Sequence, residues 1–128
     1  MAHIESISAV TLVTADMARA VRFYEALGFE RRYGGGSADF TSFHVGEGYL
    51  NLALRRDAGD VDGWGRTILY VSDVDAMHER VRAAGFVPEF PPRDAPWGER
   101  YFHVRDPDGH ELSFARPLDG DAVARTAR

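Results

Sequence analysis

The sequence contains no cysteine and no lysine. The first absence excludes disulfides, thiolate metal ligands and a thiol nucleophile. The second excludes a Schiff-base amine and the lysine of a phosphate-binding loop, and it makes all 15 basic side chains arginine. Arginine without lysine, beside abundant Ala, Gly and Asp, points to a GC-rich bacterial genome. No apolar run approaches the roughly 18 residues that span a bilayer, and the N-terminus lacks the charged-then-apolar order of an export signal. A cytoplasmic location is therefore expected. Positive charge is in the minority, with a net charge of −5, which argues against nucleic acid and anionic membranes as partners. What remains is a chain of 128 residues, 45% hydrophobic and 12% aromatic, sufficient for one folded domain with a real core.

The pattern is written twice. Val13-Thr14-Ala15-Asp16-Met17 opens a helical stretch that ends in Leu27-Gly28-Phe29, and Val71-Ser72-Asp73-Val74-Asp75 opens another that ends in Ala84-Gly85-Phe86. The separation is 57 residues from Asp16 to Asp73, from Gly28 to Gly85 and from Phe29 to Phe86. In each copy the Asp is a helix N-cap, and the Gly is the left-handed stop. Met17, Ala20, Val21, Tyr24 and Leu27 recur at helical spacing and predict a face lying on a sheet. Strands are expected at Ile7–Val13, Glu30–Tyr33, Phe40–Val45 and Tyr49–Leu54, then at Thr67–Val71, Val87–Glu89, Arg100–Val104 and Glu111–Ala115.

Gly34-Gly35-Gly36, Gly46-Glu47-Gly48 and Asp106-Pro107-Asp108-Gly109 read as turns. The proline-rich segment from Phe90 to Gly98 reads as a loop. The fold class is thus α+β, two tandem βαβββ modules (about 5–57 and 65–117) forming a concave mixed sheet in a single domain of residues 1–117. A tail of residues 118–128 follows. A symmetric cup of this kind suits a small ligand.

These segments, in this order, resemble the vicinal oxygen chelate superfamily, which includes glyoxalase I, extradiol dioxygenases and the bleomycin-resistance proteins. The resemblance is carried by residues 10–16, by Phe23-Tyr24-Glu25-Ala26-Leu27-Gly28-Phe29, by the second Asp-capped helix start, and by Arg105-Asp106-Pro107-Asp108-Gly109-His110-Glu111-Leu112. It implies a metal site built from His, Gln or Glu on the first, fourth, fifth and eighth strands. Distance from the motifs puts Ala9, Asn51, Thr67 and Ser113 there, a set without an anionic or imidazole donor. Shifting the register by one residue finds no better ligand, and a shift of two on the last strand reaches Glu111. Neither a metal nor another cofactor is therefore expected.

His44 and His103 stand in matching Phe-His-Val triplets, an alternative paired site. Asp106, Asp108 and Glu111 are read as a turn rather than a calcium cluster. No nucleophile is paired with an oriented base, so no catalytic residue is named. Ligand contacts are expected instead from Ala9, Phe43, Tyr49, Asn51, Trp64, Thr67, Trp97, Arg100, Tyr101 and Ser113, rings for stacking and polar groups for direction.

Pro96-Trp97-Gly98-Glu99-Arg100 resembles the bleomycin-resistance branch in particular. That likeness implies a homodimer with a drug-sized molecule in a groove lined by both subunits. The expected function is metal-free binding of an aromatic or polycyclic, antibiotic-like molecule, with resistance by sequestration. The alternatives are an enzyme of this fold, using a displaced metal or Glu111 as base, and a metabolite sensor or interaction module.

Overall fold

The computed structural model describes residues 2–118, so nearly all of the expected C-terminal tail lies outside the described residues. The chain divides into two compact units between Val61 and Asp62. The first contains β1 (Ala9–Thr14), α1 (Met17–Ala26), β2 (Glu30–Tyr33), β3 (Phe40–Val45) and β4 (Gly48–Leu54). The second contains β5 (Arg66–Tyr70), α2 (Val74–Ala83), β6 (Arg93–Asp94), β7 (Glu99–Arg105) and β8 (Glu111–Pro117). Each unit has its own four-stranded mixed sheet, ordered β1-β4-β3-β2 and β5-β8-β7-β6. The outer pair β1–β4, like β5–β8, is parallel, and the remaining pairs are antiparallel.

Both helices start as their sequences predict. The Asp16 carboxylate accepts the Arg19 N–H at 3.0 Å, and the Asp73 carboxylate accepts that of Ala76 at 3.0 Å. In the first unit Met17, Ala20, Val21, Phe23 and Tyr24 pack onto Leu12, Phe43, Leu50 and Leu52, all buried. The ring of Tyr24 meets Phe29 edge-on at 5.1 Å and Phe43 at 5.7 Å. In the second unit Val74 and Val81 are buried along with Leu69, Phe102, Val104, Leu112 and Phe114, and the His78 ring stands edge-on to Phe102 at 5.1 Å. Gly34 has φ +93°, and a Cβ there would lie 2.5 Å from the Phe40 carbonyl oxygen, so the triple-glycine turn depends on it.

One element differs from expectation. Val87–Glu89 is not a strand; the short β6 lies instead within the segment expected to be loop, where Arg93 aligns with Tyr101 and Asp94 with Arg100. The reason is chemical. Glu89 makes one backbone bond, its N–H to the His103 carbonyl at 2.8 Å, but Pro91 and Pro92 have no N–H with which to extend a ladder. Pairing resumes only beyond them.

Candidate functional site

Strand alternation decides which residues share a face. In the second sheet Phe102, Val104, Leu112 and Phe114 lie on the helix side, so Glu99, Tyr101, His103, Glu111, Ser113 and Ala115 share the face away from the helix. Register adds Arg66, Ile68 and Tyr70 to that face, because they align with Glu111, Ser113 and Ala115. The helix-free face carries a row of rings. Trp97 lies 5.4 Å from Tyr101, Phe90 meets Tyr101 edge-on at 5.5 Å, and the His103 ring lies 5.2 Å from Tyr101 and 5.0 Å from Phe90. The Arg93 guanidinium caps Phe90 at 3.8 Å and donates to the Tyr101 hydroxyl at 3.2 Å. Beneath the row Glu99 is fully buried; its carboxylate accepts the indole N–H of Trp97 at 2.9 Å and also the Tyr70 hydroxyl.

An acidic group closes one end of the row. Glu89, His103 and Glu111 each offer an atom, and the three atoms lie within 4.8 Å of one another. Arg66 Nε donates to Glu111 Oε1 at 2.7 Å, while Arg105 stands 3.7 Å from both carboxylates and pairs with Asp62. Burial raises the carboxyl pKa of Glu89 above its usual value, and the hydrogen bond and charge of Glu111 add to this against the opposing Arg105. Burial would raise Glu111 as well, but hydrogen bonds from Arg66 and Glu89 and the charge of His103 outweigh it and lower its pKa. Glu89 is thereby held toward its neutral form and Glu111 toward its charged form.

In the first sheet Phe43, Leu50 and Leu52 face the helix, which leaves Ala9, Tyr49, Asn51, Ser42 and His44 on the other side. Asn51 Nδ2 donates to Thr11 Oγ1 at 3.2 Å, whereas Asn51 Oδ1 and Ser42 Oγ are buried without a hydrogen-bond partner. The Arg32 guanidinium sits 3.9 Å over the Tyr49 ring. A shallow depression of about 280 Å³ near the start of α1, lined by Asp16, Met17, Gly36, Ser37 and Arg56 among others, contains none of the expected ligand residues.

The profile of the Glyoxalase/Bleomycin resistance protein/Dioxygenase superfamily matches residues 3–114. The chain belongs to that superfamily. Among solved structures, TioX from Micromonospora sp. ML1 is 32% identical, with 89% of this chain and 100% of that one covered at a TM-score of 0.70. A glyoxalase/bleomycin resistance protein/dioxygenase from Nocardioides is 25% identical, covering 94% of this chain and 88% of its own at a TM-score of 0.71. A bleomycin resistance determinant encoded on the transposon Tn5 is 19% identical, covers 88% and 98%, and has a TM-score of 0.74. No curated protein matches the sequence.

The metal site that the superfamily resemblance implies does not fit the residues present. Ala9 has no donor atom, and Asn51 and Ser113 bring only neutral oxygens. Thr67 aligns with Leu112, so it lies on the helix side and not with Ser113, a correction by one residue of register. Two further expectations are corrected. Phe43 is fully buried among Tyr24 and Phe29, which removes it from the ligand face. Arg100 is also on the helix side, where it donates twice to Asp75, at 3.0 and 2.8 Å, and once to Asp94 at 3.0 Å. Those hydrogen bonds raise its pKa, and the Arg100 bond lowers that of Asp75.

Trp64 is half exposed and donates its indole N–H to Nδ1 of the buried His110 at 2.8 Å, bracing the turn before β8. Asp106 belongs to that turn too, since its carboxylate accepts the Asp108 and His110 N–H groups. His44 and His103 are not equivalent positions. His44 aligns with Tyr49 and His103 with Ser113, so on the Asn51–Ser113 correspondence the counterpart of His103 is Ser42. The helix-free faces retain Ala9, Tyr49 and Asn51 in the first unit and Tyr101 and Ser113 in the second, with Trp97 packed against Tyr101. Sequence reasoning missed Arg66, Glu89 and Glu99 as members of the site. Glu99 could have been found as an acidic residue two positions before Tyr101; nothing in the sequence marks Glu89.

Proposed function

We propose that the protein binds a flat aromatic or polycyclic small molecule, antibiotic-like in size, and acts by sequestering it. The observation that carries this reading is the ring row Trp97–Tyr101–Phe90–His103 on the helix-free face of the second sheet. Ile68 and Tyr70, about half exposed, flank it with further apolar surface. Rings offer a ligand stacking area with little side-chain freedom to lose, and the Arg93 cap and Glu99 support hold them in position. Sequestration requires affinity and sufficient protein, with no bond chemistry and no use of the superfamily metal positions. The reading includes the homodimer with a shared groove that the resemblance implies.

Titration of the protein with a panel of polycyclic antibiotics, read by tryptophan fluorescence and by sedimentation velocity, tests both parts. Saturable quenching at one ligand per chain in a dimeric species is expected. A monomer, or a titration without saturation across the panel, would count against the reading.

A second reading, an enzyme of the same fold, is favoured by one observation, the convergence of Glu89, His103 and Glu111 beside the ring row. It predicts chemical alteration of the bound molecule, which mass spectrometry of the recovered ligand detects.

A further inference from the structure

The group Glu89, His103 and Glu111 does more than close the ring row. Two carboxylates and an imidazole converge, with donor atoms within 4.8 Å of one another, and His103 Nδ1 is 3.7 Å from Glu111 Oε1. The backbone imposes this convergence. His103 and Glu111 project from neighbouring strands onto one face, and the Glu89 N–H bond to the His103 carbonyl brings the loop over them. A second observation points the same way. Ser113 Oγ is fully buried and has no hydrogen-bond partner, and register sets Ser113 directly across from His103 on that face. An unsatisfied buried hydroxyl costs stability unless something it can bond arrives.

We propose that Glu89, His103 and Glu111 bind a divalent transition-metal ion, with the Ser113 hydroxyl holding a water on that ion. One imidazole and two carboxylates suit zinc, manganese or iron(II), and the charge of the ion offsets the two carboxylates gathered there. The site is not the one the superfamily resemblance implies. It takes its ligands from β7, β8 and the loop before β6, all in the second unit, and none from β1, β4 or β5. The cation that must give way is Arg105, whose contacts to the two carboxylates are both 3.7 Å long and which is already paired with Asp62. Arg66 Nε remains on Glu111 Oε1, leaving Oε2 for the ion. The proposal is independent of the ring-row reading, because the ion is tested without an organic ligand and the organic ligand with metal-stripped protein.

The experiment is calorimetric titration of the chelator-stripped, untagged full-length chain with zinc chloride, repeated with manganese chloride. One ion per chain is expected. His103→Ala and Glu111→Gln should abolish binding, and Ser113→Ala should weaken it by about 10-fold, as loss of an outer-shell hydrogen bond does. Arg105→Gln should tighten binding, because a competing cation is gone, and His44→Ala should leave it unchanged. The Ser113 and Arg105 variants keep the test decisive should the His103 variant fail to fold. A wild-type chain that takes up no ion overturns the proposal, as does undiminished uptake by folded His103→Ala or weakened uptake by Arg105→Gln.

Discussion

Trp97 makes two separable contributions, and two substitutions part them. Trp97→Phe keeps a ring against Tyr101 but deletes the indole N–H that reaches Glu99 at 2.9 Å. Glu99 is fully buried, so water does not replace the lost donor. Removing the donor from a buried acceptor costs about 1–3 kcal/mol; the Tyr70 hydroxyl still donates to Glu99, which keeps the loss to about 1.5 kcal/mol. For a chain of this size that corresponds to roughly 5–8 °C in Tm. Trp97→Ala removes the ring as well and should weaken a stacked ligand by about 1–3 kcal/mol, or roughly 5–150-fold in Kd. The phenylalanine variant is therefore expected to melt early yet still bind, and the alanine variant to lose both. Melting is followed by circular dichroism, and affinity by polarisation of a fluorescent polycyclic ligand. An unchanged Tm for Trp97→Phe would refute the buried bond to Glu99. An unchanged affinity for Trp97→Ala would remove the ring from the ligand face and the row with it.

Three further perturbations check neighbouring parts of the argument. Phe43→Ala truncates a fully buried ring and should cost about 3–5 kcal/mol in denaturant unfolding, with ligand affinity unchanged while the chain is folded; an unaltered midpoint would put the ring back on the surface. Thr67→Val removes a buried hydroxyl oxygen without a partner at nearly constant shape, and stability should hold or rise by up to about 1 kcal/mol; a loss larger than that would reveal a partner for the hydroxyl. Glu89 has a folded pKa above its ordinary 4.5, so its protonation stabilises the fold fully below that value, and the contribution is lost as pH rises through the folded pKa. Glu89→Gln keeps a neutral donor toward Glu111 at every pH. Its Tm should match the parent in acid and exceed it above the folded pKa, whereas a gap of constant size across pH would contradict the raised pKa of Glu89.

The architecture was legible because its signals are local and repeated. Asp16 and Asp73 cap helices at equal distances from Gly28 and Gly85, and three of the strand spans, Glu30–Tyr33, Phe40–Val45 and Glu111 onward, start where alternation and glycine punctuation put them. The failure at Val87–Glu89 has the same origin: apolar-polar alternation says what a strand's faces would be, but the backbone donors needed for pairing stop at Pro91. The repeat itself misled at the histidines. Two identical Phe-His-Val triplets look equivalent, but the turn from β3 to β4 spans Gly46 and Glu47 whereas that from β7 to β8 spans Asp106 to His110. The longer turn shifts the ladder, so that one histidine aligns with Tyr49 and the other with Ser113.

The site was less legible because faces have a period of two, and a one-residue error in register exchanges every side chain. Counting back from Asp73 to Thr67 placed a hydroxyl on the ligand face; the parallel pairing of β5 with β8 places Arg66 and Ile68 there and turns Thr67 to the helix. That single step changes the chemistry of the face. A neutral oxygen beside Ser113 would have suggested an uncharged floor, whereas Arg66 brings a cation that lowers the pKa of Glu111, and so allows a second carboxylate, Glu89, to stand beside it. Glu89 lies 22 residues before Glu111 in a segment whose own pattern says only strand or loop. Its role comes from one backbone hydrogen bond to His103 and from the charges already gathered on the face, and neither is a property of the residues around it in sequence.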